Sequence, residues 1–504
     1  MSERSERPNN IDAGGPRSAS QPPRSGGPAQ RRQPLVVPNV LAGRYASKEM
    51  ADLWSPEHKV VLERRLWIAV LRAQRELGVD VPDGVLESYE AVADQVDLAS
   101  IDARERVTKH DVKARLEEFA ALAGEEHAHK GMTSRDLTEN VEQLQLRLAL
   151  TLVRDRMVTV LARLAELAAE HEATVITGRS HNVPAQATTL GKRFASAGEE
   201  LLLALERVEE LLERLPLRGV KGPVGTSQDM LDLLGDGIDE LERRVAVELG
   251  FARTLNSVGQ VYPRSLDLDV VSALAQAVAG PSSLCTTIRL MAGQELVTEG
   301  FAPGQVGSSA MPHKMNSRSC ERVNGFMQIL RGHLTMAAGL AGDQWNEGDV
   351  SDSVVRRVVL PDACFAAEGA LLTTLAVLDG FGAYPAVIDA ELRKYLPFLA
   401  TTKFLVAAVK AGTGREVAHE VIKAHAVAYA LALREKPDGS DDLPARLGAD
   451  ERFPLSEAEV RALLSEPLDF VGDARRQTAT FVARAVVVVT DHPLAASYQP
   501  EPIL

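Results

Sequence analysis

Residues 307–316 concentrate side chains that can perform acid–base chemistry within one short stretch, here called the Ser308 segment. It reads Gly307-Ser308-Ser309-Ala310-Met311-Pro312-His313-Lys314-Met315-Asn316. The glycine lets two hydroxyls approach a ligand closely, and Pro312 limits the conformations that the backbone samples. Lys314 and Asn316 add a cation and an amide donor. A Gly-Ser pair alone is typical of a polar surface turn, whereas this combination favours a catalytic loop.

Three further segments, residues 109–111, 127–134 and 178–182, concentrate titratable groups, and each is predicted to lie at a helix boundary. One histidine alone is more often structural than catalytic. His127 and His129 are two residues apart, so on a helix they would point to different faces, and no carboxylate stands at metal-ligand spacing. We therefore expect neither a metal nor a cofactor.

The composition is that of a soluble helical protein. Of 504 residues, 45% are apolar, 25% charged and only 4% aromatic, and the length suggests roughly three domains. A net charge of −14 excludes a general nucleic-acid surface and favours small ligands. The three cysteines are far apart, which predicts free thiols in a reducing compartment: Cys285, Cys320 and Cys364. No run near 20 apolar residues and no secretory signal was recognised, so we expect a cytoplasmic protein without a membrane partner.

Apolar spacing predicts an all-α fold of three helical domains. Residues 1–34 lack large apolar side chains and are predicted to be a disordered extension. The domains are an N-terminal helical domain, a central long-helix bundle that carries the Ser308 segment, and a C-terminal helical domain, at residues 35–132, 133–381 and 382–504.

Several long helices are expected in the central domain. A capping box at Thr133 to Asp136 predicts the start of the first, and apolar residues at alternating three- and four-residue spacing predict a second from Leu190 to Leu215. Further helices are predicted at about 267–302, 317–345 and 352–380. Their apolar stripes lie on more than one side, which predicts an obligate oligomer.

The Ser308 segment closely resembles the signature loop of the fumarase/aspartase superfamily of elimination lyases. Other blocks sharpen the resemblance to the adenylosuccinate lyase family over residues 44 to about 480. They are Arg44-Tyr45, His110-Asp111-Val112, Gly131-Met132-Thr133-Ser134-Arg135-Asp136 and Gly178-Arg179-Ser180-His181, in that order. His313 before Lys314 is also typical of this family. The resemblance implies a homotetramer whose active sites are each assembled from three subunits.

The implied reaction is the elimination of fumarate from a succinylated amine on a purine nucleotide or its imidazole precursor. It needs a base, stabilisation of a carboxylate-centred carbanion, and an acid for the departing nitrogen. By resemblance Ser308 is the base, and Lys314 and Asn316 stabilise the negative charge. His181 is the acid with His110 as its supporting partner. Glu321 aligns with a family carboxylate near the acid, although it could equally be a solvated helix charge.

Residues of two kinds match the family's substrate-binding positions. Those with hydroxyl or amide groups suited to the succinyl carboxylates are Thr133, Ser134, Ser180, Gln186, Gln260, Ser309 and Asn316. Those on the phosphate side are Arg44, Tyr45, Ser353 and Arg357, and His129 is also assigned to substrate binding. The chain departs from many relatives at Gly348, where they have arginine. Part of the phosphate site therefore differs.

Two alternatives remain beside a nucleotide-specific lyase. One is another superfamily member, similar to argininosuccinate lyase or carboxymuconate cycloisomerase, which has no nucleotide phosphate to bind. The other is a catalytically silent helical scaffold, against which the intact Ser308, His181 and Lys314 argue.

Overall fold

The computed structural model describes residues 37–300, 311, 313–436 and 442–501. Residues 40–504 cluster as one unit, separate from residues 1–39. The predicted disordered extension, residues 1–34, lies outside the described residues. Within them the chain is predominantly helical, which confirms the all-α prediction.

Short and medium helices form the first part of the unit, and serine caps set where two of them begin. The hydroxyl of Ser47 accepts the N–H of Met50, and that of Ser55 accepts the N–H of His58. Such caps satisfy backbone donors that have no partner within the helix. The helices are α1 (Val40–Arg44), α2 (Lys48–Leu53), α3 (Pro56–Glu76), α4 (Val85–Ala91), α5 (Leu98–Thr108) and α6 (Asp111–Ala123).

Helix α7 (Ser134–Glu170) is the longest of the described helices. The carboxylate of Asp136 accepts the backbone N–H of Thr133 at 2.8 Å, as the capping-box pattern predicted. Its 37 residues extend roughly 55 Å. It is followed by a hairpin and a second helix, namely β1 (Val175–Ser180), β2 (Val183–Thr189) and α8 (Leu190–Arg214).

Two short helices and three long ones complete the central region: α9 (Gln228–Leu234), α10 (Ile238–Glu248), α11 (Ser265–Ala292), α12 (Arg318–Leu340) and α13 (Ser353–Gly380). The predicted helix at 267–302 was too long, because α11 ends at Ala292 and the chain turns through Glu295 in a left-handed conformation, φ 60°. It then forms β3 (Val297–Thr298), which pairs antiparallel with β4 (Gly382–Ala383). The prediction of 317–345 was also too long, since Leu340 is the last residue of α12.

The described residues of the C-terminal part contain seven α-helices and one 3-10 turn (Pro467–Phe470). The α-helices are α14 (Pro385–Leu399), α15 (Thr401–Lys410), α16 (Arg415–Glu435), α17 (Leu443–Gly448), α18 (Glu457–Leu463), α19 (Ala474–Asp491) and α20 (Pro493–Ala496). A hydrophobic cluster from Ala400 to Val460 is separate from the main core, which draws on residues from Leu41 to Ala485. The three domain boundaries given above stay a prediction.

Two of the described helices are long and apolar enough to cross a membrane, by length and composition alone. They are α11 and α13, with 61% and 83% of their most apolar windows buried inside the protein. The statement that no apolar run approaches this length was therefore wrong. Burial of this extent is that of core helices in a soluble protein.

Candidate active site

The described part of the Ser308 segment lines a cavity of about 860 Å³ at the end of α11. Lys314, Asn316 and Glu321 all border it, so the structure brings these three predicted site residues together. The N–H of Lys314 donates to the carbonyl of Met311 at 3.0 Å. Glu321 is exposed and lies 3.8 Å from Arg289, a surface pair in which solvent weakens the attraction. Ser308 and Ser309 lie outside the described residues.

His181 occupies the tip of the hairpin between β1 and β2, which corrects the prediction of a helix boundary for residues 178–182. His181 and Asn182 form the two-residue turn, with φ of 51° and 61°. Two successive positive φ values match the twist of a tight hairpin, but histidine rarely adopts them. The turn therefore holds the His181 backbone in an uncommon conformation. Strain of this kind is often found at functional sites.

Gly178 and Arg179 fix the shape of the hairpin that carries His181. A Cβ at Gly178 would lie 2.4 Å from the carbonyl oxygen of Gln186, so the close approach of the strands requires glycine. The guanidinium of Arg179 binds the carboxylate of Glu391 on α14 and donates to the Asn182 carbonyl at 3.2 Å. These two contacts of Arg179 stabilise the shape of the turn. Ser180 and Gln186 are exposed on the hairpin, where their polar groups are available to a ligand.

His110 and His129 lie near the beginning of α7. His110 caps α6, and its Nδ1 accepts the N–H of Lys113 at 3.3 Å. The pKa of His129 is lowered, mainly because burial disfavours its charged form. The carboxylate of Asp136 raises this pKa, and the electrostatic influence of His110 lowers it. Thr133 and Ser134 start α7 beside them, where the helix dipole favours anions.

A buried ionic network joins the beginning of α7 to the segments that carry Gln260, Ser353 and Arg357. Glu139 accepts two hydrogen bonds from Arg264, at 2.8 and 3.1 Å. Arg264 also binds Asp352, the residue before Ser353. These charges are almost fully buried, so each depends on its partner. The network therefore holds the first turn of α13 against α7.

Gln260 contacts the segment that departs from the family pattern. Its amide donates to the carbonyl of Gly348 at 2.6 Å, and its own N–H donates to Glu347 at 2.8 Å. Gly348 has φ 100°, a conformation that strongly favours glycine. The local backbone thus accounts for glycine at this position. Ser353 and Arg357 follow on α13 at the i, i+4 spacing that places them on one face.

Arg44 and Tyr45 lie elsewhere in the chain, although the resemblance grouped them with Ser353 and Arg357. The Tyr45 ring meets Phe326 edge-on at 5.2 Å and lies close to Gly369 in the middle of α13. Gly369 is 16 residues beyond Ser353, roughly 24 Å along the helix. One chain therefore does not bring the four predicted phosphate-side residues together.

The predicted catalytic and substrate-binding residues near α7 divide into two groups, one towards each end of the helix. His110, His129, Thr133 and Ser134 lie at its beginning. The last turn of α7 is followed by His171, whose ring packs against Phe381. Tyr384, three residues after Phe381, borders the cavity that contains Lys314. The hairpin belongs to this second end, because Leu290 lines both that cavity and one bordered by Asn182. His110 and His181 are thus separated by the length of α7 within one chain.

Sequence reasoning missed several residues that organise the site. Asp136 was treated as a cap, but it also accepts hydrogen bonds from Arg218 at 2.6 Å and from the N–H of Lys221 at 2.8 Å. The three-residue spacing of Asp136, Glu139 and Glu142 in an apolar helix was a usable signal, because buried acids need partners. Trp67, which donates to His129, gave no signal beyond its apolar character.

Among the described residues no group of three or more His, Cys, Asp or Glu is placed to hold a metal. The cysteines within the same ranges are free and buried.

Comparisons with known proteins agree over most of the chain. The family model described as Lyase matches residues 49–332, more than half of the chain, and the one described as Adenylosuccinate lyase C-terminus matches residues 397–481. Adenylosuccinate lyase of Saccharomyces cerevisiae is 36% identical over 88% of this chain and 94% of its own length. That of Schistosoma mansoni is 34% identical over the same shares.

Solved structures share the fold at lower identity. A 3-carboxy-cis,cis-muconate lactonizing enzyme from Pseudomonas putida has a TM-score of 0.77 at 22% identity, with 89% of this chain and 99% of that one covered. A fumarate lyase from Mesorhizobium sp. BNC1 has a TM-score of 0.74 at 22% identity, with 87% and 98% covered. These two establish the architecture alone. The sequence matches carry the family assignment: the chain belongs to the adenylosuccinate lyase family of the fumarase/aspartase superfamily.

Proposed function

We propose that this protein eliminates fumarate from adenylosuccinate to give AMP, and from the succinylated aminoimidazole carboxamide ribonucleotide to give the free carboxamide, in purine biosynthesis. The observation that carries the proposal is 36% identity to a curated adenylosuccinate lyase over 88% of the chain. The clustering of Lys314, Asn316 and Glu321 around one cavity adds a chemical reason, because the reaction needs cations and amides near a developing carboxylate charge.

In the proposed mechanism Ser308, as an alkoxide, removes the proton next to the succinyl carboxylate. The electron pair left behind delocalises into that carboxylate, where Lys314 and Asn316 stabilise it. The pair then forms the carbon–carbon double bond of fumarate while the carbon–nitrogen bond breaks. His181 protonates the departing nitrogen, supported by His110. Glu321 completes the charged surroundings of the cavity.

Substrate binding follows the chemistry of the substrate's two ends. Hydroxyls and amides suit the succinyl carboxylates, for which we propose Thr133, Ser134, Ser180, Gln186, Gln260, Ser309 and Asn316. Cations, hydroxyls and a neutral imidazole suit the nucleotide end and its phosphate, for which we propose Arg44, Tyr45, His129, Ser353 and Arg357. The positive end of α7, beside His129 and Thr133, favours an anion at this place.

We also propose a homotetramer with shared active sites in the cytoplasm. The separation of His110 and His181 by α7 supports it, since a second copy is needed to unite them. Exposed apolar side chains along the long helices support it as well, because such surfaces favour association. They include Leu203, Leu290, Ile329, Met336, Val354 and Val358.

One assay tests the proposed activity. The purified protein is incubated with each of the two succinylated nucleotides, and fumarate is measured. Argininosuccinate, malate and carboxymuconate serve as comparison substrates for the other members of the superfamily, and lactone formation is measured for carboxymuconate because its cycloisomerisation releases no fumarate. We expect fumarate from the nucleotides alone. Turnover of a comparison substrate with both nucleotides untouched, or no turnover of any substrate, would overturn the proposal.

A further inference from the structure

Trp67 makes a directed contact with a predicted substrate-binding histidine from outside the site. Its indole Nε1–H donates to Nδ1 of His129 at 2.9 Å, and the two rings meet edge-on with centroids 5.9 Å apart. Trp67 lies in the middle of α3 and is 1% exposed. It stacks on Phe119 with centroids 5.9 Å apart. Packing on all sides therefore fixes the direction of the N–H bond.

This hydrogen bond determines which nitrogen of His129 carries the proton. A neutral imidazole has one N–H and one acceptor nitrogen, and indole is a donor only. With Nδ1 accepting from Trp67, the proton must be on Nε2. Burial lowers the pKa of His129 and favours this neutral form. His129 thus has one fixed N–H donor, on the ring nitrogen directed away from Trp67.

The backbone around His129 is held in place by neighbouring buried side chains. His129 has φ 71°, which is uncommon for a residue with a side chain. Gln74 donates to the carbonyl of Lys130 at 2.9 Å, and the hydroxyl of Tyr89 accepts the N–H groups of His127 and Ala128 at 3.0 and 3.2 Å. Anchors on both sides maintain the strained conformation, which indicates a requirement for the position of this ring.

We propose that Trp67 is a positioning residue that keeps His129 in the Nε2–H tautomer, so that the imidazole donates a hydrogen bond to an anionic group of the substrate. The inference rests on the proposed function for the role of His129. Without the indole N–H the proton would distribute over both nitrogens, and part of the population would present an acceptor to the anion. Binding would weaken, whereas the reacting bonds would be unaffected.

The variant Trp67→Phe tests the proposal, because it keeps an aromatic ring on Phe119 and removes the donor. We expect KM for adenylosuccinate to rise on the order of tenfold, the effect of one hydrogen bond to a charged group, with kcat changed less than about twofold. Trp54→Phe is the matched control, since Trp54 Nε1 is buried without a partner among the described residues. It should leave KM unchanged.

A double variant separates positioning from packing. In His129→Gln the side-chain amide always carries N–H groups, so it can donate to the substrate without being held in one tautomer. Adding Trp67→Phe to this variant should therefore change its KM by less than about twofold. An equal loss in both backgrounds would overturn the proposal. So would a wild-type KM in a folded Trp67→Phe protein. If Trp67→Phe does not fold, benzothienylalanine at position 67 removes the N–H with a nearly unchanged shape, and the same criteria apply.

A spectroscopic measurement distinguishes this proposal from the proposed activity. The ring 15N shifts of selectively labelled histidine, assigned by comparison with His129→Gln, report the tautomer without substrate. We expect Nε2–H in the wild type and a mixture in Trp67→Phe. An Nδ1–H tautomer in the wild type would overturn the positioning role even if the enzyme is active. If the wild type has the Nε2–H tautomer but does not cleave the nucleotides, Trp67 still positions His129, whereas the proposed lyase activity is overturned.

Discussion

The carboxylate of Glu299 accepts the backbone N–H of Cys320 at 2.9 Å, and its other oxygen accepts the N–H of Ser319 at 2.9 Å. Glu299 is 7% exposed. It lies before the Ser308 segment along the chain, and α12 begins after that segment, so one buried side chain joins the chain at Glu299 to the first turn of α12. It caps α12 from 21 residues away.

Glu299→Gln should therefore lower both stability and activity. The neutral amide retains one acceptor oxygen and turns an NH2 group towards a backbone donor, which costs about 1–3 kcal/mol in a buried place. Displacement of the α12 end would shift Lys314 and lower kcat. Urea unfolding and the fumarate assay measure the two effects. Glu170→Gln, at an exposed site, is the control, and unchanged stability of Glu299→Gln would contradict the capping role.

Ser308→Ala should abolish turnover without unfolding the protein. If the hydroxyl is the base, kcat should fall by on the order of a thousandfold or more, since no other group takes its place. Melting temperature and oligomeric state should stay close to the wild type. Ser317→Ala is the control, because the Ser317 side chain makes no cap hydrogen bond to α12. An active Ser308→Ala enzyme would show that another residue is the base.

Two inactive variants should restore activity when mixed. His110 precedes the first turn of α7 and His181 follows its last turn, and this helix extends roughly 55 Å. We therefore expect a shared site to take the two histidines from different chains. After denaturation and refolding together, His110→Gln and His181→Gln subunits should regain about a quarter of wild-type activity, because a quarter of the sites receive both native histidines. Refolding each variant alone is the control. No recovery in mixed oligomers would mean that both histidines act from one chain.

Gly348→Ala should destabilise the protein. Its φ of 100° is unfavourable for any side chain, and a Cβ would lie 2.7 Å from Cγ2 of Val261. We expect a loss of about 1–3 kcal/mol in the free energy of unfolding. Val261→Ala removes the clashing methyl group, so the double variant should lose less than the sum of the two single variants. Additive losses would show that the destabilisation comes entirely from the unfavourable φ at position 348 and not from the contact with Val261. No loss would contradict the conformation described.

Stability should decrease as the pH falls below about 6.5. Burial is the largest cause that lowers the pKa of four histidines from 6.5, namely His58, His129, His171 and His333. The unfolded chain then binds more protons than the folded one below that pH, so the free energy of unfolding falls on acidification. Urea titrations at pH 7.5 and 5.5 measure the slope.

His171→Phe should make this pH dependence shallower, because it replaces one titrating ring beside Phe194 and Phe381 with an apolar one. Equal stability of the wild type at both pH values would contradict the lowered pKa of these histidines in the folded protein.

Sequence patterns determined the elements whose causes are local. The capping residues of α7 and the apolar spacing of α8 stand in consecutive residues, so both helices were predicted with nearly correct starts. The motif around Ser308 and the matching blocks likewise identified the family without any coordinates. The predictions were wrong where the local conformation depends on a contact with a residue far away in the sequence. Residues 293–298 leave the helix so that Val297 and Thr298 can pair with β4, and residues 178–182 form the tip of a hairpin that Glu391 anchors from α14.

Only the tertiary structure placed the site residues relative to one another. The order of His110, His181 and Lys314 along the chain gives no distances, whereas a continuous α7 fixes which of them share an end of the bundle. Trp67, the donor to His129, is likewise 62 residues away from it, and the two donors to Glu299 are 20 and 21 residues away. Side chains that meet only after folding depend on long-range packing, and no local pattern of residue types encodes that.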